Sequence, residues 1–312
     1  LIGNDGNDTL LAADSNDLFS GGAGDDDIEA GGGNDSVSGG SGNDTIFGQQ
    51  GDDTLNGQGG TDVIEGDTGN DTVIWEGASG GNDTITDATG DNTLIVNGSG
   101  AANTIAVGKN AADLLVVTES GKSVTVGPTF NRVAINGNNG NDTITLGDLQ
   151  DVASVQVEVF GGIGNDSISA AGALIGNVRL SLNGDAGNDT VVGSEDGDTI
   201  TGGDGNDKLY GGGGDDTISG DNGNDSVFGG TGNDSLQGNA GDDSLRGNDG
   251  NDTADGGDGF DVLIGQNGDD SLVGGTGDDS LDGSAGNDTP SGDLGLDTLT
   301  GGDGDDSLDG GR

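Results

Sequence analysis

The sequence predicts an all-β protein, a parallel β-roll or β-helix solenoid of 18-residue coils, with a central segment of longer solenoid turns and a hairpin. Three observations predict it. A nine-residue period runs through both ends of the chain, glycine supplies 72 of the 312 residues, and an apolar content of 28% with 3% aromatic is too thin for a thick globular core.

From residue 184 the chain reads GDAGNDTVV, GSEDGDTIT, GGDGNDKLY, GGGGDDTIS and onward to GGDGDDSLD, fourteen blocks in one register. Position one is always Gly, position four is Gly except at Asp196, position six is always Asp, and position eight is aliphatic except at Ala254 and Pro290. Residues 3–74 hold eight more blocks in the same register. Glycine at positions one and four is expected to turn the backbone with positive φ, Asp at six to close the turn, and the last three residues to extend with only position eight facing inward. Two nonads then make one coil. Stacked coils place position eight in two internal columns and position six in two edge columns, with a repeat of about 4.8 Å.

Residues 75–183 differ. They carry Lys109, Lys122, Arg132 and Arg179, four of the seven basic residues, and alternating runs such as KSVTV, VQVEV and VRLSL that read as strands. Segments 114–118 and 123–126 flank a short turn at 119–122, which predicts the hairpin. The G-x-x-G-N-D signature returns at 137–142, 161–166 and 184–189, so the middle reads as coils lengthened by extra strand and loop. The expected organisation is an N-terminal array at 1–74, a central β-rich segment at 75–183 and a C-terminal array at 184–312.

Composition sets the chemistry. With 58 acidic and 7 basic residues the formal charge is -51, which repels nucleic acid and anionic lipid. No apolar stretch approaches the roughly 20 residues of a membrane span. There is no Cys and no His, so any metal site is built from oxygen. Carboxylates stacked about 4.8 Å apart repel by about 3.5 kcal/mol per pair at an effective dielectric of 20. A cation between them reverses the sign, and carboxylates with peptide carbonyls from glycine turns suit calcium better than magnesium.

These blocks resemble the G-G-x-G-x-D-x-U-x nonapeptide of the repeats-in-toxin (RTX), or hemolysin-type calcium-binding, family. The resemblance covers the two arrays in 22 copies and the middle only through its G-N-D turns. It implies calcium between successive coils, held by position-six carboxylates and turn carbonyls. The implied metal ligands of the C-terminal array are Asp189, Asp207, Asp225, Asp243, Asp261, Asp279 and Asp297 on one edge and Asp198, Asp216, Asp234, Asp252, Asp270, Asp288 and Asp306 on the other. In the N-terminal array they are Asp8, Asp26, Asp44 and Asp62, with Asp17, Asp35, Asp53 and Asp71 opposite; Asp142 and Asp166 extend the set into the middle. One ion per adjacent pair in the arrays gives about 18 Ca2+ and roughly +36 of charge. Weaker sites are expected around Asp198, where Asp196 replaces a turn glycine, around Asp17, where Ala12 and Ser15 do, and around Asp288, beside Pro290.

The resemblance also implies an extracellular chain, secreted by a type I route or held at the cell surface, serving as the calcium-dependent structural module of a larger toxin, adhesin or exoenzyme. The chain begins in mid-repeat and reads as a fragment. No enzyme activity is expected in it: nearly every carboxylate repeats with the scaffold, and the only seat for polysaccharide chemistry is near Asp142, Asp166 and Arg179. The alternative partner is a polysaccharide or protein recognised by 75–183. Position-five residues such as Asp215 and Asp242 are expected on the solvated surface and Trp75 as a plug over the first core. The N-D-T and N-D-S triplets are accounted for by the calcium turn rather than by glycosylation. Ice binding fails because position nine runs through Val, Thr, Tyr, Ser, Phe, Gln, Arg and Asp instead of staying Thr.

Overall fold

The computed structural model describes residues 1–77, 80–112, 114–152, 154–173, 176 and 178–312. Its strands stack in parallel as the turns of a β-solenoid, about 16 in number and about 18 residues apart. Among the described residues no helix is long and apolar enough to cross a membrane. The chain divides into two compact units, one of Leu1–Asn139 with Gly147–Val159 and Gly176–Arg179, the other of Gly140–Leu146, Phe160–Ile175 and Leu180–Arg312.

In the first unit alternate strands go to alternate sheets. Leu18–Ala23, Ser36–Ser41 and Thr54–Gly59 pair in one, placing Phe19, Val37 and Leu55 in line; Asp27–Gly32, Thr45–Gln50 and Val63–Thr68 pair in the other, placing Ile28, Ile46 and Ile64 in line. Position eight therefore rests on position eight of the next coil, and these six side chains are at most 3% exposed. Each such burial is worth roughly 1.5–3 kcal/mol. The second unit repeats the arrangement with Ile200, Ile218 and Leu236 in one sheet and Leu209, Val227 and Leu245 in the other. On its outer face position nine also stacks: the rings of Tyr210 and Phe228 lie 4.9 Å apart with nearly parallel planes, and the Arg246 guanidinium lies over Phe228. Pro290 is absorbed without a break. It pairs opposite Leu272 and its carbonyl accepts the Asp309 N–H.

The glycines do not divide their work as the sequence suggests. Positive φ falls at positions two and four, as at Gly22 (117°) and Gly24 (127°), and Gln49, Gln58 and Asn239 take the same conformation at position two. Position one is not left-handed. Glycine is needed there for space, because a Cβ on Gly184 would stand 2.6 Å from Asp189 Oδ2 and 2.6 Å from the Gly202 carbonyl oxygen.

The predicted hairpin is present. Leu115–Glu119 and Lys122–Val126 pair antiparallel about Ser120 and Gly121, both at positive φ, the conformation that suits a two-residue turn. Sequence reading missed a third member, Thr104–Lys109, which pairs antiparallel to Leu115–Glu119, while Lys122–Val126 pairs parallel to Asp83–Thr86. This insert changes how the coils are stabilised. Among the described residues, 27 buried apolar side chains fall within 75–183, against 9 in 1–74 and 11 in 184–312.

Candidate metal centre

Each position-six aspartate is fixed from the neighbouring coil. In one edge column of the first unit the N–H groups of Asp8, Asp26 and Asp44 donate to Oδ1 of Asp26, Asp44 and Asp62 at 2.8–2.9 Å. In the other, Asp17, Asp35 and Asp53 donate to Asp35, Asp53 and Asp71 at 2.8 Å. The second unit has a column running from Asp142 through Asp166, Asp189, Asp207, Asp225, Asp243, Asp261 and Asp279 to Asp297, with bonds of 2.6–3.0 Å. Its companion runs from Asp198 through Asp216, Asp234, Asp252, Asp270 and Asp288 to Asp306 at 2.7–3.0 Å. The structure thus sets the register aspartates of each array in the expected columns and adds Asp142 and Asp166 to the head of the one that holds Asp189. Position five knits the turns in the opposite sense: Asp215 Oδ1 accepts the Asn233 N–H at 2.7 Å and Asp242 Oδ1 that of Phe260 at 3.0 Å, on the exposed side.

The second carboxylate oxygen has a different fate. In at least twenty of these aspartates, Asp26, Asp44, Asp189 and Asp243 among them, Oδ2 is buried and accepts no hydrogen bond. A buried anionic oxygen without a donor is costly, so such a set calls for a cation. Oδ2 faces the space over the position-one glycine together with the carbonyl oxygen of the next coil, as Asp189 Oδ2 and the Gly202 carbonyl do over Gly184. Among the described residues no three acidic or imidazole side chains gather at one point, so peptide carbonyls supply the rest of any coordination shell. That donor set fits calcium.

Asn103 provides an internal control. It stands to Gly98 and Gly137 as Asp189 stands to Gly184 and Gly202, but its Nδ2 donates to the Gly137 and Ser99 carbonyls, both at 3.1 Å. Where an amide replaces the carboxylate, an N–H already satisfies the carbonyl and no ion is required.

Two of the expected weak positions carry their own donors. Ser15 Oγ donates to Asp17 Oδ2 at 2.9 Å; the Ser194 N–H and hydroxyl donate to Asp198 Oδ2 at 2.6 and 3.0 Å. Asp288 does not join them. It is 0% exposed, its Oδ2 lacks a donor, and the Gly301 carbonyl faces it as in other coils, because the strand accepts Pro290 undistorted. Sequence reading missed Asp83 and Asn92, which extend the two columns of the first unit after coils of 21 residues and accept the N–H groups of Asp62 and Asp71. Their signal was the G-N-D-T-I and G-D-N-T-L strings, displaced by three residues. Trp75 is 2% exposed on the strand Thr72–Trp75, consistent with a plug.

Burial pushes the carboxyls of Asp44, Asp53, Asp62, Asp207, Asp252 and Asp261 up to about 6, and those of Asp189, Asp216 and Asp243 up to about 7. The N–H bonds to Oδ1 oppose this, and neighbouring acidic charge adds to it.

Gly184→Ala should put its methyl between Asp189 Oδ2 and the Gly202 carbonyl. A Cβ does not fit at 2.6 Å from two oxygens, so the calcium concentration at half-folding, read by far-UV circular dichroism, should rise about tenfold, equivalent to about 1.4 kcal/mol. Gln237→Ala, on the exposed position nine, should leave it unchanged.

A scan against protein-family models matches the RTX calcium-binding nonapeptide repeat at residues 2–37, 38–73 and 134–153 and, in overlapping copies, across 183–312. Compared with curated proteins, the chain has no match.

Proposed function

The chain belongs to the RTX calcium-binding nonapeptide repeat family, and from that premise we propose that its edge-column aspartates hold calcium between successive coils as the structural module of a larger secreted protein. The observation that carries the reading is the set of buried Oδ2 atoms without a donor, repeated in step with the turn carbonyls. Calcium held there would supply the positive charge that the buried carboxylate oxygens lack. The chain supplies the rest: N–H groups that orient each carboxylate, glycine that leaves room, and position eight that fills the core.

The ligands in this reading are the register aspartates, with less calcium at Asp17 and Asp198, whose own donors compete. The ion count then falls somewhat below one per adjacent pair. Family membership supports an extracellular setting and type I export, with arrays at 1–74 and 184–312 flanking 75–183. The β-roll is a structural module and not a catalytic one. Asp142 and Asp166 lie in one column with Asp189, so they share the scaffold's geometry and do not stand apart as an acid and base.

Recognition of a polysaccharide or protein by 75–183 drew on its basic residues. Lys109 lies 2.8 Å from Asp151 and 4.0 Å from Asp148, and Arg132 pairs with Glu158. These contacts assign two of the four cations to acidic neighbours, which weakens the argument from basic charge.

A titration of the whole chain tests the proposal. Far-UV circular dichroism should show cooperative gain of β structure with calcium and little gain with the same concentration of magnesium. Full β structure in excess chelator at neutral pH would overturn it.

A further inference from the structure

Where the first unit leaves the nonapeptide register, one edge column acquires a residue that no repeat predicts. The strand Asp83–Thr86 pairs with Val63–Thr68 so that Glu65 lies opposite Thr86, and the next pair in that register is Gly66 with Asp87. Asp87 therefore occupies the place that position-one glycine holds in an ordinary coil. It lies outside every segment matched to the family.

The geometry changes accordingly. Over Gly184 the bounding oxygens are one carboxylate and one carbonyl; over Gly66 they are Asp71 Oδ2 and Asp87 Oδ2, each 2.5 Å from where a Cβ would stand. Both oxygens are buried and accept no hydrogen bond, and Asp71 as a whole is 1% exposed. The remaining oxygens are committed: Asp71 Oδ1 takes the Asp53 N–H at 2.8 Å, and Asp87 Oδ1 takes the Thr89 N–H at 3.3 Å. One step further along, the column position is Asn92, whose Nδ2 points to the Thr129 carbonyl at 3.4 Å. The line of carboxylates ends there.

We propose that Asp71 and Asp87 form a further calcium site, outside the repeat register, that closes this edge column of the first unit. Two carboxylates match the ion's charge, where an ordinary cradle relies more heavily on neutral carbonyls. The inference rests on the calcium reading above and adds Asp87 as a ligand.

Crystals of the whole chain grown with calcium test it by anomalous scattering. The expected result is a peak about 2.3–2.6 Å from both Asp71 Oδ2 and Asp87 Oδ2. Ions in the register cradles with none between these two, the pair sharing a proton instead, would overturn this site and leave the calcium reading standing; a crystal without ions in any cradle would overturn both. In solution, Asp87→Asn, which keeps the acceptor for Thr89, should lower the calcium bound per chain in equilibrium dialysis by one, whereas Asp91→Asn on the exposed turn should not. An unchanged count in Asp87→Asn would overturn the proposal.

Discussion

Excess chelator at neutral pH should strip protection from the backbone amides of 1–74 and 184–312 while 75–183 keeps a slowly exchanging remnant. The reason is the uneven source of stability. In the arrays about one apolar side chain is buried per nonad, too little to hold nine ordered backbones by itself. The middle segment holds more buried apolar groups than both arrays together and contains an antiparallel insert that requires no ion. Its cradle at Asn103 is already closed by amide hydrogen bonds. Hydrogen exchange read by mass spectrometry, with and without calcium, checks this. Exchange that is equally slow throughout in chelator would contradict it.

Acid should do part of calcium's work. In the metal-free chain burial raises the column aspartates from 3.8 to about 6 at Asp53 and Asp207 and about 7 at Asp216 and Asp243. A group whose folded-state value lies above its unfolded one stabilises the fold in its protonated form. That stabilisation is complete below 3.8 and is lost as pH rises through about 6 to 7. Metal-free protein at pH 7.5 should therefore be mostly without β structure and should gain it on acidification toward pH 4.5. With calcium present the direction reverses, because protons compete for the same oxygens, and the calcium midpoint should rise as pH falls below about 7. Circular dichroism at fixed chelator and at fixed calcium checks both limbs. A metal-free chain that loses structure on acidification would contradict the first.

The edge columns were legible in the sequence because each position-six Asp recurs at a spacing that the coil converts directly into spatial neighbours. Position eight was legible for the same reason. What escaped were features set by contact rather than by period. The need for glycine at position one comes from oxygens of a residue five places on and of the following coil, and the repeat alone does not separate that cause from a turn requirement. Asp83, Asp87 and Asn92 escaped because the coil grows to 21 residues at that point. Thr104–Lys109 escaped because its partner is an inserted antiparallel strand. Pro290 misled in the other direction, since a residue that usually breaks strands is carried here by a ladder that keeps pairing around it.

The two opposed hydrogen-bond ladders make length an adjustable quantity. Position six takes its donor from the coil before and offers its own amide to the coil after, and position five does the reverse. Excising a whole repeat unit from inside an array, such as 226–243, would give every donor and acceptor at the cut an equivalent replacement. The molecule would shorten like a ruler losing one graduation, by about 4.8 Å. Removing a single nonad would instead join opposite edges. Such arrays can grow or contract by whole coils with no redesign of their interior, leaving only the two end coils to be finished by other means.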